Sequence, residues 1–105
     1  MTECVTILAV ASDKDAAGMI ELLSRFSKRL ILTAFGDKRA LPLEELRRAA
    51  GSHAHDSAAT IQDAIARGMS IAAPNLPLLI TGSIYTAGEA RQILIRDYGA
   101  SPLRF

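Results

Sequence analysis

The feature that most constrains the fold is an apolar run that ends in a Thr-Gly-Ser turn and passes directly into a helical pattern. The run covers residues 78–80, the turn is Thr81-Gly82-Ser83, and apolar residues then recur at helical spacing up to Leu94. This pattern is typical of a buried parallel strand that is followed at once by a helix. Anionic ligands bind at unpaired N–H groups of a helix start, so the turn at Ser83 is a candidate anion site.

The rest of the chain alternates in the same way. Residues 4–11 and 30–35 are short, continuous apolar runs that predict strands buried on both faces. Helical spacing follows each of them, and a further helix is expected from about residue 57. Such alternation favours parallel strands joined by right-handed crossovers. We therefore expect one α/β domain over residues 1–105, with three layers: a mostly parallel sheet of about four strands and helices on both of its faces.

Charged and polar residues predict the ends of the first helix, which is expected to reach Phe26. Ser12 fits as its cap, with Asp15 as the second member of a capping box. Lys28 and Arg29 would lie near its end, where cations are favoured.

Glycines and capping residues predict the boundaries of the two middle helices. Pro42 suits the first position of the second helix, and Gly51 is expected to end it. A very short strand is expected within residues 52–55. Asp56 or Ser57 would then cap the third helix, which is expected to stop near Gly68. The fourth helix is expected to end near Gly99, leaving residues 101–105 as a tail.

Composition excludes several classes of function. A chain of 105 residues that is half hydrophobic suits a single domain with a packed core. Twelve Lys and Arg residues against eleven Asp and Glu give a formal net charge of +1, and there is no Trp. This balance builds no one-sided field, so neither nucleic acid nor an anionic membrane is an expected partner.

Cysteine use and hydropathy predict a cytoplasmic protein. Cys4 is the only cysteine and lies in the first predicted strand, where it is expected to be a small buried apolar residue. No internal disulfide can form, which favours a reducing compartment. The sequence shows no secretory signal pattern and no apolar run near the roughly 20 residues that cross a bilayer.

Polar residues follow two predicted strands at their carboxyl ends, where sites in open parallel sheets lie. Lys14, between Asp13 and Asp15, could hold a carboxylate or a phosphate, or it could be an exposed lysine in a capping turn. Ser83 could offer its hydroxyl and N–H to an anion, or it could only cap the last helix. The residues alone leave both alternatives open.

Other motifs are weaker. His53 and His55 share a face if their segment is extended, with Asp56 adjacent, but two histidines without a larger cluster favour a solvated loop, and no metal site is expected. The chain has no Gly-x-x-x-x-Gly-Lys-Ser/Thr phosphate loop. A phosphate-receiver domain is excluded because it needs a late lysine, and the last lysine here is Lys38.

Three blocks, taken in order, resemble the C-terminal domain of folylpolyglutamate synthase/dihydrofolate synthase, a family in the Mur ligase superfamily. They are Asp13-Lys14-Asp15-Ala16-Ala17-Gly18-Met19, then Arg39-Ala40-Leu41-Pro42 with Glu44-Glu45-Leu46, then Thr81-Gly82-Ser83-Ile84-Tyr85 with Gly88-Glu89-Ala90-Arg91. Together they span the chain from the first strand to the last helix. The resemblance implies the Rossmann-like fold of that C-terminal domain.

The resemblance also implies a function. The family's enzymes activate a carboxylate of dihydropteroate or a folate with ATP, and the amine of glutamate then forms the amide. ATP and magnesium are held by larger N-terminal and central domains, which would be partners of this chain in cis or in trans, and no cofactor is expected on this chain alone. By resemblance, Lys14 would face a glutamate carboxylate, Ser83 would add hydrogen bonds, and Asp13 and Tyr85 would line or order the cleft.

The sequence also departs from the family pattern. It lacks the strand that ends in Asp-Gly-Ala-His-Asn-Pro, and residues 52–73 match poorly. The chain is therefore expected to be inactive alone, either as a piece of a ligase or as a shortened relative. A free-standing binding or regulatory module of the same fold, or a partner that supplies this surface to a separate synthase chain, are the alternatives. Loss of the strand would leave an unprotected sheet edge, which favours a homodimer.

Overall fold

The computed structural model of the chain describes residues 3–100. Four strands alternate with four helices along this range. In chain order they are β1 (Cys4–Leu8), α1 (Ala16–Ser24), β2 (Ser27–Leu32), α2 (Leu43–Ala50), β3 (Asp56–Ser57), α3 (Ile61–Ile71), β4 (Leu78–Thr81) and α4 (Ile84–Tyr98). The predicted tail after residue 100 lies outside the described residues.

The strands form one four-stranded sheet in the order β3-β2-β1-β4, and every pairing is parallel. The predicted α/β fold is confirmed. β1 is a central strand, since it pairs with β2 on one side and with β4 on the other, with Leu8 opposite both Leu32 and Thr81. The residues that follow β1 and β4 therefore leave the sheet side by side at its carboxyl edge.

Alternating side chains of the central strands divide the core between the two faces of the sheet, as the period of two in a strand requires. One face packs against α3 and α4, and its fully buried residues include Val5, Ile7, Ile31, Ile61 and Ile65. The opposite face packs against α1 and α2, and its fully buried residues include Leu8, Val10, Ile20, Leu32 and Leu46. Helices therefore cover both faces, as expected, and Cys4 is buried in β1.

The predicted ends of the first helix were wrong. Asp15, rather than Ser12, caps α1, and its carboxylate accepts the N–H of Gly18 at 3.0 Å. Lys28 and Arg29 lie in β2 instead of ending the helix, because β2 begins at Ser27, three residues before its predicted start. The backbone N–H of Cys4 donates to the carbonyl of Phe26, so pairing with β1 starts earlier than the apolar run alone suggests.

Two boundaries in the middle of the chain were also wrong. The short strand is Asp56–Ser57 rather than a part of residues 52–55, and it pairs with Ile31 and Leu32. Asp56 and Ser57 therefore form β3 and do not cap the helix. Thr60 caps α3, since its hydroxyl oxygen accepts the N–H of Asp63 at 3.1 Å. The helix continues past Gly68 to Ile71. It packs on β4 at Gly68, where an added Cβ would lie 2.7 Å from a methyl carbon of Leu78.

β4 is the outer strand on one side of the sheet, and its residues are less buried than those of β1. Leu79 is 37% exposed there. An open edge of this kind is what the predicted homodimer would use, and the dimer remains a prediction. Among residues 3–100, no helix is long and apolar enough to cross a membrane.

The turn from β4 into α4 passes very close to the main chain of β1. Gly82 has a φ of +130°, and a Cβ placed on it would lie 2.0 Å from the carbonyl oxygen of Ala9. The N–H of Ala9 in turn donates to the carbonyl of Thr81 at 3.3 Å. Only glycine satisfies both the backbone conformation and the close approach.

Replacement of this glycine is expected to cost much of the stability of the domain. Gly82→Ala should lower the free energy of unfolding by about 3 kcal/mol or more, because the turn must move away from β1. Gly88→Ala is the matched control, since a Cβ there meets nothing within 4 Å. It should raise the free energy of unfolding by about 0.5–1 kcal/mol, because alanine is the better helix former. Urea unfolding of the two variants measures both effects, and equal values would contradict the close approach.

Candidate anion-binding site

A cleft of about 810 Å³ opens at the carboxyl edge of the sheet, between the turn after β1 and the start of α4. All four residues that the sequence predicts as site residues line it: Asp13, Lys14, Ser83 and Tyr85. They meet because β1 and β4 are adjacent and parallel, so their following turns share one edge. The geometry agrees with the expected placement, and the binding role of these residues remains a prediction.

Lys14 is the fixed positive charge of the turn after β1. Its N–H donates to the carbonyl of Ala11 at 3.1 Å, and its carbonyl accepts the N–H of Ala16 at 3.0 Å, so the backbone on both sides of the side chain is held. The side chain is exposed, and its ammonium group contacts no partner within residues 3–100. Lys14 can therefore pair with a ligand without first breaking an internal ion pair.

The Ser83 hydroxyl is committed to the start of α4. Its oxygen accepts the N–H of Thr86 at 3.0 Å, which makes Ser83 the cap of the helix. The same oxygen lies 3.0 Å from the Thr86 hydroxyl, whose own proton is donated to the carbonyl of Ala9 at 2.6 Å. A hydroxyl has one proton to give, so the proton between Ser83 and Thr86 comes from Ser83.

The start of α4 provides donors in place of that hydroxyl. The N–H groups of Ile84 and Tyr85 open the helix and have no carbonyl one turn earlier to bond. Both residues line the cleft, and the partial positive charge of the helix start adds to the charge of Lys14. An anion in this cleft can thus be bound by two backbone N–H groups and one ammonium group.

Tyr85 holds a second cation at the cleft. Its ring stacks on the buried ring of Phe35, with centroids 5.4 Å apart and planes 19° from parallel. The Arg39 guanidinium lies 5.4 Å from the centroid of the Tyr85 ring, and Arg39 also lines the cleft. Arg39 is a charged residue of the cleft that the sequence did not predict, although its block, Arg39-Ala40-Leu41-Pro42, is one of those that carry the resemblance.

The loop that carries Arg39 is fastened on two sides. Towards the turn after β1, the Arg39 carbonyl accepts the N–H of Ser12 at 2.9 Å, and Ala40 forms an antiparallel bridge with Ala11. Towards α4, the Glu89 carboxylate accepts the N–H of Gly36 at 2.8 Å. The loop therefore holds its position relative to both of the turns that form the cleft.

His53 and His55 lie away from this cleft, beside the amino-terminal end of β2. His53 Nε2 is 2.9 Å from a carboxylate oxygen of Glu21, and His55 Nδ1 is 2.9 Å from the carbonyl of His53. Within residues 3–100, no group of three or more His, Cys, Asp and Glu side chains is placed to hold a metal ion. The two histidines thus have protein partners.

One curated protein and several solved structures are similar to this chain, whereas no protein-family profile matches it. The curated protein is the dihydrofolate synthase/folylpolyglutamate synthase of Mycobacterium tuberculosis. The two sequences are 32% identical over an alignment 110 residues long, gaps included. The alignment covers 89% of this chain and 23% of that protein. The chain therefore spans about a quarter of the length of this relative.

The solved structures that are similar to this chain are also folylpolyglutamate synthases. Folylpolyglutamate synthase of M. tuberculosis, in a structure with ADP and AMPPCP, has a TM-score of 0.81 at 32% identity, over 98% of this chain and 25% of that one. A second structure of it, with ADP, has a TM-score of 0.82 at 30% identity. The Thermotoga maritima enzyme has a TM-score of 0.70 at 18% identity, over 90% of this chain and 22% of that one, which shows the fold alone. The predicted resemblance is confirmed.

Two fully buried threonines provide a test of how the cleft is built. Thr86 donates its hydroxyl proton to Ala9, whereas the hydroxyl of Thr33 is buried without a partner in the described part of the chain. Thr86→Val should lower the free energy of unfolding by about 1–3 kcal/mol, because the Ala9 carbonyl and the Ser83 hydroxyl lose a partner. Thr33→Val should raise it by about 1 kcal/mol, since it removes an unsatisfied buried hydroxyl.

Chemical unfolding of the two variants beside the parent chain measures both changes. Valine has nearly the shape of threonine, so the opposite signs isolate the hydrogen bonds. A loss of stability in both variants would show that the hydroxyl of Thr33 has a partner in solution.

Proposed function

We propose that this chain, a relative of the C-terminal domain of folylpolyglutamate synthase, binds glutamate in the cleft between β1 and α4. The observation that carries the proposal is that Lys14, without a partner among the described residues, lines the same cleft as the residues that begin α4. A carboxylate is the group that suits both kinds of donor. The family resemblance selects glutamate among the carboxylates.

The charges along the cleft suit an amino acid better than a simple anion. Lys14 and the N–H groups of Ile84 and Tyr85 would bind a carboxylate, while Asp13, in the same turn as Lys14, would accept hydrogen bonds from the ammonium group of the amino acid. Asp13 has no partner among the described residues, so this acceptor is free. A cleft for phosphate alone would gain nothing from a carboxylate at that position.

Ser83 and Tyr85 act through position rather than by donating side-chain protons. The Ser83 hydroxyl fixes the first turn of α4, which directs the N–H groups into the cleft. The Tyr85 ring closes one wall and is kept in place by Phe35. In this proposal Ser83 serves the ligand as the residue that orders the helix start.

In the complete enzyme, this domain would present glutamate to a folate carboxylate that ATP has activated elsewhere. By the family resemblance, ATP and magnesium would be held by the N-terminal and central domains, supplied in cis or in trans. The part of this chain is to bind the amino acid and to orient its amine. We therefore propose that the chain alone binds glutamate but does not form the amide.

Titration of the 105-residue chain with glutamate, followed by two-dimensional amide NMR, tests the proposal. The cleft is open to water and salt, so we expect a weak, roughly millimolar Kd. The amides of Ile84 and Tyr85 should shift most, since they would donate to the carboxylate. Lys14→Ala should weaken binding by about tenfold or more and change the free energy of unfolding by less than about 0.5 kcal/mol.

Lys28→Ala is the matched control, because Lys28 is also an exposed lysine without a described partner but lies at the opposite edge of the sheet. It should bind glutamate as the parent chain does. Sodium chloride at equal ionic strength separates binding from salt effects. Equal weakening by the two lysine variants, or no shift of the α4 amides, would contradict the proposal.

A further inference from the structure

We propose that Arg39 binds the second carboxylate of the ligand and so makes the cleft selective for a dicarboxylic amino acid. The inference rests on the proposed function, since it concerns the same cleft. It begins with the position of Arg39: its side chain is 55% exposed and lines the cleft together with Lys14 and Ile84.

The guanidinium is oriented by two neighbours and still keeps donors free. Asp37 accepts from Arg39 Nη1, with its two oxygens at 3.2 and 3.4 Å, and also accepts the Arg39 backbone N–H at 2.8 Å. The central carbon of the guanidinium lies over the Tyr85 ring, 5.4 Å from its centroid, within the range of a cation–π interaction. Nε and Nη2 donate to no group in the described part of the chain, so one edge of the fork remains for a ligand.

A planar fork that is fixed in this way recognises a carboxylate, because two N–H groups can bond its two oxygens at once. Lysine in the same position would lack the fork and could bond the two oxygens only as a point charge. The pairing with Asp37 also lowers the charge that Arg39 adds to the cleft, so its contribution comes from directed hydrogen bonds more than from general attraction.

The cleft then contains two separate carboxylate sites. Lys14 and the start of α4 form one, and Arg39, which leaves the loop after β2, forms the other. A ligand with a single carboxylate can fill only the first site. Glutamine has nearly the shape of glutamate but an amide in place of the side-chain carboxylate, and an amide cannot accept at both of its heavy atoms. Glutamate should therefore bind better than glutamine, and the difference should depend on Arg39.

The experiment compares glutamate with glutamine by NMR titration of the parent chain, of the Lys14→Ala variant and of three further variants. In the parent chain we expect glutamate to bind about tenfold more tightly, the factor that one charge-assisted hydrogen-bonded contact at an accessible site provides. Arg39→Ala should remove this preference while glutamine binding stays unchanged. Arg39→Lys should restore little of it. Arg47→Ala, which removes an arginine of similar exposure that pairs with Glu44 on α2, should leave the preference intact.

The outcomes separate this inference from the proposed function. If Arg39→Ala keeps the preference for glutamate, Arg39 is not the second site, and the glutamate-binding proposal stands. If Lys14→Ala loses both ligands while Arg39→Ala loses only the preference, both proposals are supported. If the parent chain binds neither ligand, both are overturned.

Discussion

The cleft depends on how the backbone of one residue, Ala9, is held by the end of β4 and the start of α4. Its N–H donates to Thr81, its carbonyl accepts the hydroxyl proton of Thr86, and Gly82 lets the two main chains approach closely enough for both bonds. A buried carbonyl without a partner would cost more than its hydrogen bond contributes when made, so this arrangement resists change. It fixes the start of α4 against the end of β1, and the two sides of the cleft follow from it.

The same arrangement explains why Ser83 and Thr86 are both hydroxyl residues. Thr86 must donate to Ala9 and is fully buried, so its oxygen needs a donor of its own, which Ser83 supplies. Ser83 then accepts from the N–H of Thr86 and completes the cap. A serine at a helix start beside an anion site suggests a hydroxyl that binds the anion. In the proposed site, the hydroxyl instead orders the backbone N–H groups that would bind the anion.

Much of the fold could be predicted because the sequence carries its signals locally. The apolar runs of β1 and β4, the glycines after α2 and α4, and the helical spacing of the last helix lie where the pattern places them. The predicted boundaries were wrong where contacts with residues distant in the sequence determine where an element begins or ends. Lys28 and Arg29 are residue types favoured at the end of a helix. They lie in β2 instead, where the strand pairs with β1 and Arg29 forms an ion pair with Asp56. Ser12 and Asp15 both suit a cap, and the Ser12 N–H is bonded to Arg39 instead of opening a helix.

The candidate site also contains residues whose position could be predicted from the sequence and one residue whose position could not. Lys14 and Ser83 could be placed at one edge because parallel topology alone brings the turns after adjacent strands together. Arg39 could not, because its position comes from contacts between residues far apart in the chain: Ser12 with Arg39, Gly36 with Glu89, and Phe35 with Tyr85. Those contacts bind the loop after β2 to both sides of the cleft. A ligand that spans the cleft would therefore meet donors that are already in position, so less of its binding energy would be spent on ordering the protein.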